Sequence, residues 1–440
     1  MKIVINTTKN ILPKIIILGL FLVLLTGVIA YARGYRFNLQ EGTMTSTGII
    51  SINSTPRGAQ VFINDELKGA TDTNITLPFG QYDVEVRKEG YTSWSKTIAL
   101  KGEVVVSLNA VLFSKNPSLT PLTNIGVNAI HSVGNTDKII LISETGDVEQ
   151  DGIYLFEPNT SPVSLFPPLK LLLLRSLVPD TIDFTSATFV YGPRYRQAIA
   201  TFQYIDQPDT TISYLLSLAD ENGELFEITN SVDELIAKWH EEKNKEMAKV
   251  IETLPKSFQP IATESFHIIS VSPDEKRVMY LSKDNASLPL VIDPPLIGAN
   301  QTKEHRDIKQ GKLYVYDKKE DKNFLIPVEI PLDKTVFDSV QTTPPATDPE
   351  AITLGNLVDE EISTAVLNSV KWYPNSEYIA VNEDDTISIL QYDGTNRETV
   401  YAGPFDQSYF GISPDWNLMV IINLNPQNNT YGDLYSVGIR

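Results

Sequence analysis

Three segments in the second half of the chain share one plan: SVSPDEKRVMYLS (270–282), VKWYPNSEYIAVN (370–382) and FGISPDWNLMVIIN (410–423). Each runs from a short apolar stretch through a proline with polar neighbours into a second apolar stretch. Proline fixes its own φ and pushes the residue before it out of the helical region, so the plan reads as strand, turn, strand. Measured at the residue before each proline (Ser272, Tyr373 and Ser413), the segments stand 101 and 40 residues apart. A 40-residue step is the length of one β-propeller blade. Each segment also leads into a further strand rich in Tyr and Leu, at 312–316, 387–392 and 433–437.

The turns resemble the Ser-Pro-Asp blades of TolB-type and WD40-like propellers, with Glu275, Ser376 and Trp416 standing where such blades usually carry glycine. Two weaker units lie upstream: 129–165, with strands at 138–143 and 152–156, and 182–228, with strands at 197–204 and 213–218. Five units result, and 119–127 is placed to close a ring, so a five- or six-bladed propeller is expected over 119–440. Two insertions interrupt it. The first, 231–256, reads as a helix: Ser231 and Glu234 suggest a capping box, and Val232, Leu235, Ile236, Trp239, Val250, Ile251 and Leu254 keep a helical period. The second, 333–363, reads as a long exposed loop. The run LKLLLLRSLV (169–178) is too short to cross a membrane and carries Lys170 and Arg175; it reads as a buried strand or short helix.

Near the start, IIILGLFLVLLTGVIAYA (15–32) carries no charge and is flanked by Lys2, Lys9 and Lys14 before it and Arg33 and Arg36 after it. Eighteen apolar residues meet the lower limit for a spanning helix, and the charge bias favours the N-terminus inside. A retained anchor with the bulk of the chain outside is expected; the alternative is a secretory signal cleaved after Ala32, in the A-x-A-like site Ala30-Tyr31-Ala32. Both export the chain. The formal charge is −19, and removing the five flanking basic residues leaves −24 from Phe37 onward. Such a chain has no general attraction for nucleic acid or an anionic lipid surface.

After a polar spacer (37–47) strand signals crowd together. Tyr82, Val84 and Val86 alternate with Asp83, Glu85 and Arg87, and similar alternation fills 94–100 and 104–112, so a small all-β unit of five or six strands is expected. Its markers come in the order Ser54-Thr55-Pro56-Arg57-Gly58-Ala59, Asn64-Asp65, Gly69-Ala70-Thr71, Pro78-Phe79-Gly80-Gln81-Tyr82 and Gly90-Tyr91. This order resembles the PEGA domain, a small β-sandwich module of bacterial cell-envelope proteins. The resemblance covers 48–113 and implies structural roles for Pro56, Gly58, Ala59, Gly69, Gly80, Tyr82, Gly90 and Tyr91. Arg57 replaces the family's glutamate, and 64–66 lacks its turn glycine.

Signatures of chemistry are sparse. The absence of cysteine excludes disulfides, thiolate zinc sites and a cysteine nucleophile. His131, His240, His267 and His305 show no metal-ligand spacing. Ser272 and Ser413 lie outside G-x-S-x-G and read as turn residues whose hydroxyls bond nearby backbone. Carboxylates at Asp206 and Asp209, 359–361 and 383–385 suit solvated turns in so acidic a chain. There is no phosphate-cradling glycine loop, and no cofactor or nucleotide is expected. Trp372 and Trp416, beside blade turns, are the candidate binding-face aromatics; sheet packing is the ordinary role for such rings. The expectation is a mainly β, membrane-anchored, extracytoplasmic binding or scaffolding protein without catalytic activity, contacting an envelope protein or glycan. The alternative is an exported glycan-active enzyme using propeller carboxylates.

Overall fold

A computed structural model describes residues 3–32, 35–38, 43–158, 168–330, 360–383 and 385–440. The chain is mainly β and divides into two compact units, Met1–Leu112 with Leu296–Gln301, and Phe113–Pro295 with Thr302–Arg440.

The first unit begins with helix α1 (Ile3–Ala32). Within it, Pro13–Ala32 is long and apolar enough to cross a membrane, and its side chains project outward, Ile17 at 66% and Val23 at 70% exposure. No water-soluble fold gains from displaying such a surface, so the helix is compatible with a single-pass anchor or a signal sequence.

Eight strands follow: β1 (Tyr35–Asn38), β2 (Thr43–Thr55), β3 (Gln60–Ile63), β4 (Glu66–Ala70), β5 (Thr73–Pro78), β6 (Gly80–Arg87), β7 (Trp94–Leu100) and β8 (Val105–Val111). One sheet has the order β1-β2-β5 with β8 parallel to β2; the other runs β4-β3-β6-β7. Alternate residues go inward, and Ile50, Ile52, Val61, Val84, Val86, Trp94 and Ile98 are buried. Two strands exceed the five or six expected. Strand β1 pairs with β2 across part of the stretch read as spacer, Tyr35 opposite Ser46. Strand β4 is exposed at every position, so it has no burial alternation to betray it.

The motif residues of this unit act through the backbone. Ser54 Oγ donates to Pro56 O (2.7 Å) and lies 2.5 Å from Thr71 Oγ1, which accepts from Ala59 N at 3.0 Å. Gly58, Gly69 and Gly90 sit at positive φ, whereas Gly80 does not. The turn without glycine is made by Asn64 (φ 48°) and Asp65 (φ 64°), both left-handed, as a two-residue hairpin requires and Asn/Asp tolerate. The Tyr82 hydroxyl donates to Pro78 O at 2.9 Å, and Tyr91 N to Lys88 O at 3.1 Å.

Among its described residues the second unit contains five four-stranded antiparallel sheets. Sheet 1 comprises β10 (Ala129–Ser132), β11 (Ile139–Ser143), β12 (Gly152–Phe156) and β13 (Leu169–Leu174); sheet 2, β14 (Ile182–Tyr191), β15 (Gln197–Tyr204), β16 (Gln207–Ser217) and β17 (Phe226–Glu227). Sheet 3 comprises β18 (Phe266–Val271), β19 (Arg277–Ser282), β22 (Leu313–Asp317) and β23 (Lys322–Ile326); sheet 4, β24 (Val370–Trp372), β25 (Tyr378–Glu383), β26 (Thr386–Gln391) and β27 (Glu398–Tyr401). Sheet 5 takes β28 (Phe410–Ile412), β29 (Leu418–Ile422) and β30 (Asp433–Gly438) from the C-terminal end and its fourth strand, β9 (Ser118–Pro121), from the beginning of the unit. Val437 thus pairs with Leu119.

Neighbouring sheets share cores. Ile140, Ile142 and Leu155 of sheet 1 cluster with Phe184 and Phe202 of sheet 2, while Ile139, Leu141 and Phe156 cluster with Met419, Ile421 and Leu434 of sheet 5. Met279, Leu281 and Phe324 of sheet 3 cluster with Val370, Ile379 and Val381 of sheet 4. Tyr373 of sheet 4 donates its hydroxyl to Trp416 O of sheet 5 at 2.6 Å.

The turns between first and second strands are alike. The N–H before each turn donates to a carbonyl beyond it: Val133 to Lys138 (3.0 Å), Gly192 to Gln197, Ser272 to Arg277, Tyr373 to Tyr378 and Ser413 to Asn417 (2.9 Å each). Glu275, Ser376 and Trp416 take φ of 60°, 63° and 74°, the left-handed region that explains the glycine of the resembling blades. Ser272 Oγ donates to Asp274 Oδ1 and accepts from Arg277 N; Ser413 bonds Asp415 and Asn417 in the same way. These hydroxyls hold turns.

Several expectations change. The unit read as 129–165 continues to Leu174, because the run at 169 supplies its fourth strand, followed by a short 3-10 turn at Arg175–Leu177. Helix α2 (Val232–Glu252) forms where the helical period lies, but Ser231 makes no side-chain cap bond: a 3-10 turn (Thr229–Ser231) runs straight into the helix, and Ser231 N already donates to Ile228 O. Helix α3 (Gln259–Ser265) follows it. Most of the loop read at 333–363 lies outside the described residues, but its end is helix α4 (Glu360–Ser369), whose Ile362, Val366 and Leu367 pack under sheets 3 and 4. A further insertion, 283–312, separates β19 from β22 and carries the short pair β20 (Ala286–Ser287) and β21 (Asp307–Ile308).

Candidate functional site

The first strands of sheets 1, 2 and 3 supply Ile130, His131 and Ser132, Phe189 and Tyr191, and Ile268 and Ile269 to one cavity of about 270 Å³. Helix α4, which leads into the first strand of sheet 4, adds Ser363 and Leu367; Ser408, just before sheet 5, completes this wall. The first strands of sheets 1, 2 and 3 thus face one space, which the segments leading into sheets 4 and 5 close. Helix α2 contributes Lys243, Glu246 and Met247. It is seated by Trp239, 5% exposed, whose ring lies 3.0 Å from where a Cβ on Gly192 would stand, so glycine there permits the close approach.

Gly134 (φ 54°) similarly gives way to the Tyr195 ring, whose hydroxyl accepts from Asn135 N at 3.4 Å. Beside it, Arg194 and Tyr195 both have positive φ, 61° and 53°. Two consecutive left-handed non-glycine residues are costly, and such backbone clusters at binding surfaces.

The polar groups in this wall are unusual. The Tyr191 hydroxyl and His131 Nε2 are both buried with no hydrogen-bond partner. Burial raises the tyrosine pKa and lowers that of His131 to about 4, so the imidazole is neutral at pH 7. Phe189 packs on both, edge-on to His131 at 5.0 Å and stacked on Tyr191 at 6.3 Å. His267 of β18 meets Ser363 of α4, Nε2 to Oγ at 3.1 Å.

Behind Ser132 stands Lys371 of β24. Its Nζ donates to Ser132 Oγ at 3.2 Å and lies 5.2 and 5.7 Å from the ring centroids of Tyr409 and Phe410. Desolvation pulls its pKa down to about 8, with no carboxylate opposing the shift. Lys371 is half-buried, and an ammonium drawn from water onto ring faces and one hydroxyl is costly unless something else pairs with it.

Of the residues singled out in the sequence, the cavity includes only His131. Trp372 is 9% exposed within the core between sheets 3 and 4, with no binding face to offer, because inward alternation at β24 turns its ring into the sheet pack. Trp416 is half-buried, 5.5 Å edge-on from Tyr373 and 4.4 Å below the Arg440 guanidinium. Glu383 is bound to Arg397 at 2.5 Å, and Asp359 lies outside the described residues. The cavity's one carboxylate among the described residues is Glu246. No group of three or more His, Asp or Glu side chains is placed to hold a metal ion among the described residues. Nothing local in sequence marks the site: Ser132 and Lys371 stand 239 residues apart.

Residues 47–116 match the PEGA domain family model. No curated protein sequence matches the chain. Among solved structures, the chain is similar to one described as the eukaryotic initiation factor, at 10% identity over 85% of this chain and 83% of that one, with a TM-score of 0.20. Hsv2p of Kluyveromyces lactis is similar at 7% identity over 83% and 93%, TM-score 0.17. An auxiliary nutrient binding protein from Bacteroides ovatus is similar at 9% identity over 89% and 81%, TM-score 0.17. At these TM-scores the likenesses support no structural or functional argument.

Proposed function

We propose that the chain is a membrane-tethered binding protein of the cell envelope, with its N-terminus inside, its bulk outside and no catalytic activity. The PEGA-like unit follows the tether, and the second unit is a five-bladed β-propeller that binds a protein or glycan of the envelope. The blade reading rests on five four-stranded sheets, shared cores between neighbours, and one sheet completed by strands from opposite ends of the unit, which is how a ring of such sheets would be fastened. The observation that carries the binding reading is the cavity on which the first strands of three sheets and the segments leading into the other two converge, with buried polar atoms left unpaired. A single lining carboxylate gives no acid and base pair for glycoside hydrolysis.

The test is a pull-down with the full chain in detergent against solubilised envelope proteins and sonicated wall glycan. Specific, saturable retention of a protein or glycan is expected. Turnover of a glycan substrate with no retained partner would contradict the proposal.

A further inference from the structure

The binding reading leaves the ligand of the cavity open, and its hydrogen-bond inventory narrows it. Ser132 Oγ accepts a hydrogen bond from Lys371 Nζ, so its own O–H remains to be donated. The Tyr191 O–H has no acceptor. Both side chains line the cavity. Two hydroxyl donors without acceptors, backed by a cation without a carboxylate, describe a space short of acceptors.

Charge points the same way. In a chain of formal charge −19, the cavity lining carries Arg194 and Lys243 against Glu246, and Lys371 stands behind Ser132. The local sign is opposite to that of the molecule. Size and walls complete the description: about 270 Å³ far exceeds what an inorganic anion fills, and Phe189, Tyr191, Ile268, Met247 and Leu367 offer apolar and aromatic surface.

We infer that this cavity binds a small ring-bearing carboxylate, its anionic oxygens accepting from Ser132 and Tyr191 beside Lys371 and its ring lying against Phe189 and the aliphatic wall. The lowered pKa of Lys371 agrees, since an anion brought beside it offsets the desolvation of the ammonium. Two sources share this chemistry, an acidic sugar and an aromatic acid. The inference rests on the reading of the cavity as a binding site, which it deepens.

The experiment is isothermal titration of the full chain in detergent at pH 7 with glucuronate, glucose, benzoate and benzyl alcohol. At least one acid is expected to bind saturably at one site per chain, at least tenfold tighter than its neutral counterpart. Glucuronate alone would identify an acidic sugar, benzoate alone an aromatic acid. Lys371→Met should weaken the acid at least tenfold and Lys371→Arg by less; Tyr191→Phe should weaken it severalfold. The acid and neutral pair on the unaltered chain needs no variant to fold. Neutral counterparts binding as tightly as the acids would overturn the inference and leave the binding-site reading standing. No saturable binding by either acid would also overturn it, whatever the envelope pull-down retains.

Discussion

Arg277 donates from Nη1 to the main-chain carbonyl of Ser376 at 2.8 Å, joining sheet 3 to the turn of sheet 4. Its Nε bonds Asp317 at 2.8 Å and its guanidinium carbon lies 3.7 Å from the Tyr392 ring centroid, so one side chain ties two sheets together. Both ionic partners are nearly inaccessible, 8% and 3% exposed. Leaving one charge of a buried pair alone costs about 3–5 kcal/mol. Arg277→Met is therefore expected to destabilise the second unit by that order, and Asp317→Asn by somewhat less. Denaturation midpoints, with hydrogen exchange at β19 and β24, check this; protection unchanged at both strands would contradict it.

Two of the three non-glycine turn residues, Glu275 and Ser376, separate backbone strain from side-chain bonding. Glu275 pays for left-handed backbone at φ 60° with no side-chain bond to another described residue, so Glu275→Gly should stabilise by about 0.5–1 kcal/mol. Ser376, at φ 63°, also accepts from Asp274 N through Oγ at 2.9 Å. Ser376→Gly gains the backbone freedom and loses that bond, and should be neutral or destabilising by about 1 kcal/mol. Thermal midpoints of the two variants measured side by side separate the effects.

Gly134→Ala should damage the cavity rim. A Cβ there would stand 2.2 Å from the Tyr195 ring, on backbone at φ 54°. Overpacking with strain costs about 1–3 kcal/mol, and the Tyr195 ring must move. A lowered thermal midpoint with altered tyrosine fluorescence is expected; a midpoint within 1 °C of the unaltered chain would contradict the packing described.

The pH dependence has a defined direction at Lys371. Its folded pKa, about 8, lies below the ordinary 10.5, so between these values the unfolded chain holds a proton that the folded chain has released. Stability from this group therefore rises as pH increases from about 8 to 10.5. His131, at about 4 against 6.5, likewise loses stability as pH falls from about 6.5 to 4. Lys371→Met should flatten the alkaline slope and His131→Gln the acid one, read as midpoint against pH.

The fold was legible where chemistry repeats locally. Proline at 273, 374 and 414 marked three blade-like turns, and alternation at 82–87 marked a half-buried strand. Strand β4 escaped because all its residues are exposed, and the capping box at Ser231 failed because a preceding 3-10 turn had already used the backbone N–H. The cavity was illegible for a different reason. His131, Tyr191 and Lys371 lie in three strands with no shared local pattern, Tyr191 at the end of one that already carries Asp183 and several Ser and Thr; only the folding of distant segments puts His131 and Tyr191 on one cavity with Lys371 behind Ser132.

The proposed tether and outward placement are tested most directly by labelling. The chain has no cysteine, so Glu221→Cys, at an exposed turn of the second unit, gives one unique thiol. Cells stripped of wall should label fully with a membrane-impermeant maleimide before lysis, and the labelled chain should stay in the membrane pellet after alkaline carbonate extraction. Labelling only after lysis would contradict the outward placement, and release of the chain into the medium would contradict the tether.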